Sequence, residues 1–143
     1  MRIAIGADHA GYALKAEVLG WLGARGDTVV DLGTSSATNA VDYPDVAHAL
    51  AKLIESGEAD VGVLVCGSGV GMSIAANRHS SVRAVVCSEP YSARLARQHN
   101  DANVLCVGAR VVGLGTAKDI VDAFFATAFE GGRHAGRVAK ITP

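Results

Sequence analysis

Five short apolar runs, Arg2–Gly6, Thr28–Leu32, Asp60–Cys66, Val82–Cys87 and Asn103–Val107, alternate along the chain with stretches of helical periodicity. That alternation restricts the architecture sharply. Strands separated by helices return through right-handed crossovers and lie parallel, so the fold class is α/β, with a parallel sheet covered on both faces. Two of the helices are legible on their own: Ala47, Leu50, Leu53 and Ile54 share a face after Pro44, and Ile120, Val121, Phe124 and Phe125 share one after Thr116. A length of 143 residues fits one domain, 1–143, and no repeat, low-complexity tract or linker divides it. The last segment, from about 130 to 143, is polar and glycine-rich, with Arg133, His134 and Arg137 close together. A tail of that kind either frays or docks on something.

Charge and composition remove several function classes. The net charge is −1 with histidine neutral, and the basic residues are scattered until the last fifteen positions. There is no footprint for nucleic acid or for an anionic membrane surface, although small anionic ligands remain open. The N-terminus, MRIAIGADH, enters a strand without a signal-type apolar run, and no stretch approaches the ~20 apolar residues that span a bilayer. The expected location is cytoplasmic. Three cysteines, Cys66, Cys87 and Cys106, are odd in number and widely spaced, which argues against a disulfide framework or a redox pair. No spacing of histidines and acids predicts a metal site.

Open parallel sheets bind ligands at the carboxyl ends of their strands. There this chain places Asp8 and His9 after the first strand and Cys66 with a glycine loop after the third. Ser88, Glu89, Pro90 and Tyr91 follow the fourth strand, and Gly108 and Arg110 the fifth. The loop VCGSGVGMSIAANR, Val65–Arg78, is the most informative of these. Gly67, Gly69 and Gly71 occupy a strand-to-helix turn in which the backbone curls and successive N–H groups converge, while the helix behind adds partial positive charge. Such a turn receives a phosphate, a carboxylate or a transient oxyanion, and the same field favours the thiolate of Cys66. From the residues alone the reading is a base beside an oxyanion hole. Plainer readings stay open at this point: a turn built for close packing with an inert cysteine, or a dinucleotide loop with Glu89 as its ribose acid, in which Met72 stands where the third glycine belongs. An isolated Asp8 or His9 at a strand end is commonly a helix cap or a surface residue.

GADHAGYALK, the DYPD of Asp42–Asp45, CGSGVGMSIAANR, the run RAVVCSEPYSARLARQHNDANVL, GARVVG and EGGRHAGR together resemble the ribose-5-phosphate isomerase B family, in order and spacing along essentially the whole chain. The family includes relatives acting on galactose 6-phosphate and allose 6-phosphate, which are the alternative substrates here; RQHN with EGGRH looks more like the ribose branch. The resemblance implies a three-layer α/β/α sandwich around a Rossmann-like five-stranded parallel sheet. It also implies a cofactor-free interconversion of ribose 5-phosphate and ribulose 5-phosphate, a step of the pentose phosphate pathway, through an enediolate.

By the same resemblance Cys66 is the base that moves the proton, where other members use a glutamate at the position of Met72. The N–H groups of Gly67, Ser68, Gly69, Val70 and Gly71, with the Ser68 hydroxyl, would stabilise the charged oxygen. His99 would open the sugar ring with Asp8 nearby, and Asn100 would bind the sugar; the simpler role for His99 is a charge at the end of its helix. Arg110, Arg133 and Arg137 would hold the phosphate, with His9 beside them and His134 as a further contact. Tyr43 would line the sugar pocket or sit in the core. Arg78, Arg83, Arg94 and Arg97, and likewise His48 and His79, read as structural or surface residues. Family members are dimers or higher assemblies with shared sites, so a homodimer or homotetramer is expected, with His99, Asn100 and Arg110 reaching the site from a neighbouring copy. A non-catalytic sugar-phosphate-binding protein is the alternative from another class, and it would need neither Cys66 nor His99.

Overall fold

The structure, a computed structural model, describes residues 1–143. The strands are β1 (Arg2–Ala7), β2 (Thr28–Asp31), β3 (Val61–Cys66), β4 (Ala84–Val86) and β5 (Val104–Gly108). Between and after them run α1 (Tyr12–Ala24), α2 (Tyr43–Glu55), α3 (Val70–Ala76), α4 (Pro90–Asn100), α5 (Leu114–Ala126) and α6 (Arg133–Val138), with one 3-10 turn at His9–Gly11. All strands pair in parallel, in the order β2-β1-β3-β5-β4. The expected α/β class, five-stranded parallel sheet and three layers are therefore present.

Alternation along the central strands sorts the core into two layers. Ile3, Ile5, Ala7, Val63, Val65, Leu105 and Val107 pack with α1, α4 and α5, burying Leu22, Ile120 and Phe124 completely or nearly so. Ala4, Leu64, Cys66, Val104 and Cys106 face α2 and α3, against Leu50, Met72 and Ala76. β3 is buried at every position, which is why its sequence is an unbroken apolar run. α2 approaches the sheet closely because Gly62 leaves room for the Leu50 side chain. The buried stripe of α2 is Val46, Ala47, Leu50 and Ala51; Leu53 and Ile54, expected on the inner face, are only half-buried.

The edges are managed by polar side chains. Asn77 pairs with both the N–H and the C=O of Ala84 at 2.8 Å, and Asn103 binds Arg83 N–H and Ser81 C=O at 2.8 Å, so the edge strand β4 is flanked by amides rather than left open. Asp101 ends α4 in the left-handed region with φ 46°, where its carboxylate receives Arg83 at 2.9 Å and Arg97 at 3.2 Å. Those two arginines are structural, as expected. His48 and His79 are as well: their ring nitrogens meet at 2.9 Å, and His79 reaches Glu55 at 3.1 Å, tying α2 to the segment after α3. Lys15 is buried on α1 with its Nζ 2.5 Å from Asp31 Oδ1, which also accepts Gly33 N–H at 2.9 Å. The terminal segment does not fray; its residues 133–138 form α6, which packs on α4. No helix is long and apolar enough to cross a membrane.

Candidate active site

The carboxyl end of β3 sits between those of β1 and β5, in register with Ala7 beside Val65 and Gly108 beside Cys66. A cleft of about 360 Å³ opens there, lined by Asp8, Tyr43, Cys66, Gly67, Ser68, Gly71, Arg110 and Val111. Residues of four separate chain segments thus meet at one point.

The loop's conformation is dictated by its glycines. Gly69 lies at φ 79°, where a side chain is disfavoured, and a Cβ there would come within 3.1 Å of Val107 C and 3.2 Å of Gly108 N. This turn aims the Gly69 N–H at Cys66 Sγ, 3.0 Å away. The sulfur is thereby held in a fixed orientation at the edge of the cleft, where a ligand would meet it. Ser68 Oγ accepts Val70 N–H at 3.2 Å, and its own proton is left for a ligand in the cleft. Gly71 makes room for the Tyr43 ring, since a Cβ there would stand 2.6 Å from the ring edge. Tyr43 is therefore a wall of the cleft and not a core residue; it is 42% exposed.

Asp8 is 8% exposed, and its Oδ1 accepts Gly11 N–H at 3.0 Å, so it caps the 3-10 turn while its carboxylate faces the cleft. His9 Nδ1 accepts Val41 N–H at 3.3 Å, which leaves Nε2 carrying the proton. Arg110 corrects one expectation. Instead of needing a neighbouring copy, its guanidinium lies over Gly67 of its own chain: a Cβ on Gly67 would be 3.3 Å from Nη1, and Arg110 N–H donates to Gly67 C=O at 3.0 Å. The physical reason is that β5 is the direct neighbour of β3, so the two loops leave the sheet side by side.

The other expected groups lie elsewhere. His99 stands in the last turn of α4, where the simpler reading put it, and also stacks on His134 of α6, with ring centroids 4.3 Å apart and planes 9° from parallel. His134 is 4% exposed and its Nε2 has no hydrogen-bond partner. Burial, followed by the neighbouring His99, lowers the basicity of His134. Arg133 and Arg137 stand exposed one turn apart on the same helix. Asn100 borders a larger concavity of about 600 Å³ beside α3 and β4, together with Ile141, Thr142 and Pro143. None of these five residues lines the Cys66 cleft.

Two further groupings were not legible in the sequence. Glu130 brings its carboxylate to 3.9 Å from both His99 and His134, a convergence signalled only by the four-residue spacing in EGGRH. Glu89, the candidate ribose acid, instead caps α4 by accepting Ser92 N–H at 3.0 Å, and hydrogen bonds from Ser92 hold its carboxyl below the usual range. The dinucleotide reading loses its acid. The other two cysteines are packing residues: burial pushes the Cys87 thiol up to about 11 and that of Cys106 well above its ordinary value.

A family described as Ribose/Galactose Isomerase matches residues 3–141. The chain is 55% identical over 141 residues to ribose-5-phosphate isomerase B of Escherichia coli, covering 99% of this chain and 94% of the relative. Among solved structures, ribose-5-phosphate isomerase B of Clostridium thermocellum superposes with a TM-score of 0.96 at 51% identity, covering 99% and 95% of the two chains. That of Mycoplasma genitalium, solved with bound ribulose-5-phosphate, gives 0.93 at 42% identity, with 99% and 93% covered. With the family model spanning residues 3–141 and a relative 55% identical over 99% of the chain, the chain belongs to the ribose/galactose isomerase family.

Proposed function

We propose that the protein is a cofactor-free aldose-ketose isomerase that interconverts ribose 5-phosphate and ribulose 5-phosphate. The observation that carries this reading is a lone thiol at the floor of a sugar-sized cleft with a backbone N–H fixed on its sulfur. With the open-chain aldose bound, Cys66 Sγ takes the proton from the carbon beside the carbonyl. The electron pair moves onto the carbonyl oxygen, and the enediolate that forms is stabilised by the Ser68 hydroxyl and by loop N–H groups other than those of Gly69 and Val70, which Sγ and Ser68 Oγ already take. Each such donor is worth about 3–4 kcal/mol to a transition state of this kind. The hydroxyl proton then passes from O2 to O1, the electron pair collapses to a carbonyl at the second carbon, and return of the abstracted proton from Sγ to the first carbon completes the isomerisation. Tyr43 and Val111 wall the cleft, and Arg110 places a fixed cation at its mouth for the phosphate.

Ring opening and the remaining phosphate contacts need groups that the cleft of one chain lacks. We place His99, Asn100, Arg133, His134 and Arg137 of a second copy over the cleft, with Asp8 assisting His99 and His9 offering its Nε2–H to the phosphate. A homodimer is the smallest assembly that completes the site. Two features support this: the chain's own α4 and α6 hold these residues together as one unit, and that unit stands apart from the Cys66 cleft.

The deciding experiment measures initial rates on ribose 5-phosphate, allose 6-phosphate and galactose 6-phosphate for the native protein and for Cys66→Ala. Turnover of ribose 5-phosphate that vanishes in Cys66→Ala, with sugar phosphate still bound, is the expected result. Equal turnover in the variant eliminates the thiol base, and a preference for a hexose phosphate reassigns the substrate.

A further inference from the structure

The cluster formed by His99, Glu130 and His134 brings together two imidazoles and a carboxylate whose ligand atoms all lie within 4.8 Å of one another. We infer that these three residues bind a divalent transition metal of the zinc class, and that the bound ion silences ring opening by taking the Nε2 of His99.

Several independent features converge on this site. His134 is 96% buried, and its Nε2 is without a partner while facing the Glu130 carboxylate at 3.9 Å. A buried polar atom left unpaired is uncommon in native structures and marks a place where something binds. Glu130 sits at the same 3.9 Å from His99 Nε2, so a single carboxylate oxygen faces both rings. Around a tetrahedral zinc ion, ligand atoms stand about 3.3 Å apart, so the two carboxylate-to-imidazole separations must close by roughly 0.6 Å and the widest separation in the set by at most about 1.5 Å. The frame that carries the donors is fixed: Glu130 N–H donates to Gln98 C=O at 3.0 Å, which anchors the loop before α6 to the end of α4.

The donor set also selects the metal. Two imidazoles and one carboxylate suit zinc, cobalt or nickel and not magnesium or calcium, which take oxygen ligands. Three protein ligands leave a fourth position for water, the pattern of an exchangeable site and not of a closed structural one. The stacked rings set their lone pairs side by side, so one must turn for both to meet an ion. His99 is the one free to do so, since its side chain is 36% exposed and that of His134 only 6%.

The consequence for turnover rests on the isomerase reading above; binding does not. A metal on His99 Nε2 removes the group that passes a proton to and from the ring oxygen. Conversion of cyclic ribose 5-phosphate is then blocked, while ribulose 5-phosphate, which enters without a ring to open, is less affected.

The test is a titration of the metal-free native protein with Co²⁺, read by its visible absorption, beside Glu130→Gln and Cys66→Ala. We expect one Co²⁺ per chain with a tetrahedral-type spectrum displaced by Zn²⁺, unchanged binding in Cys66→Ala, and at least tenfold weaker binding in Glu130→Gln. Glu130→Gln should keep the basal rate and need at least tenfold more Zn²⁺ for half-inhibition. Absence of saturable binding, native affinity in Glu130→Gln, or a thiolate band lost in Cys66→Ala would each overturn the site. Equal Zn²⁺ inhibition from the aldose and ketose sides would overturn its action through His99. A metal-free protein that binds Co²⁺ as expected but isomerises nothing overturns the catalytic reading and the inhibition, and leaves the metal site standing.

Discussion

Replacing Gly69 by alanine tests whether the glycine loop is shaped for Cys66 or merely tolerates glycine. Two costs add. At φ 79° an alanine is held in the left-handed region, which costs about 1–2 kcal/mol. Its Cβ also meets Val86 Cγ2 at 2.8 Å, Val107 C at 3.1 Å and Gly108 N at 3.2 Å. Val86 is half-exposed and can turn aside, but the two backbone atoms belong to β5 and cannot, so overpacking adds roughly 1–3 kcal/mol. Gly26 is the internal control: it lies at φ 80° with nothing within 4 Å of a built Cβ, so Gly26→Ala carries the backbone cost alone. At about 3–4 °C per kcal/mol for a chain of this size, Gly69→Ala should melt some 3–12 °C below Gly26→Ala. Thermal unfolding followed by circular dichroism, with urea midpoints as a check, measures that gap. Kinetics separates the two further. A shift of the loop off β5 takes the Gly69 N–H away from Sγ, and kcat should fall roughly a hundredfold or more, while Gly26→Ala stays at the native rate. Melting temperatures within about 1 °C of each other, with full turnover in both variants, would refute the argument that this turn is built by close approach to β5.

Further predictions follow from the same geometry. His99→Asn should slow ribose 5-phosphate conversion far more than ribulose 5-phosphate conversion, and equal losses in initial rate from both sides would remove His99 from ring opening. Mixing inactive Cys66→Ala and His99→Asn proteins under subunit exchange should restore activity; hybrids seen by mass spectrometry that remain inactive would place both residues in one chain's site. Lys15→Met keeps the buried aliphatic stem but strips the cation from Asp31, which is 41% exposed and can hydrate, so the loss should be about 1–3 kcal/mol by urea unfolding. His134 carries a lowered pKa in the fold, so below its ordinary value near 6.5 the unfolded chain takes up the proton first and stability falls with pH. The drop in melting temperature from pH 7.5 to pH 5 should therefore shrink in His134→Gln; an unchanged drop would contradict that coupling.

What the sequence discloses here, and what it conceals, has a physical pattern. β3 was plain because a strand buried on both faces must be apolar at every position, and α5 because Ile120, Val121, Phe124 and Phe125 all face the sheet. The position of Cys66 at a strand end beside a glycine turn was equally readable, since both features are local. Strand order is not local. Nothing in the run of residues places β5 inside β4, and that single fact brings Arg110 onto Gly67 of its own chain. α6 was hidden for a related reason: six residues with a glycine among them carry no usable period, and the helix owes its place to contacts with α4, more than thirty residues earlier. The His99–His134 stack and its carboxylate belong to the same class of tertiary facts.

The unequal settings of the three cysteines have a practical corollary in covalent labelling. Every thiol is free, but at pH 8 a Cys87 thiol held near 11 offers about one thiolate in a thousand, and Cys106 offers fewer still with no exposed surface. Cys66 alone borders an open cleft. A mild alkylating reagent therefore meets one sulfur per chain, and the mass increment it leaves counts working sites directly, without any knowledge of the turnover rate. An electrophile carried on a sugar-phosphate scaffold would inherit that selectivity from the way this sheet buries its other two thiols.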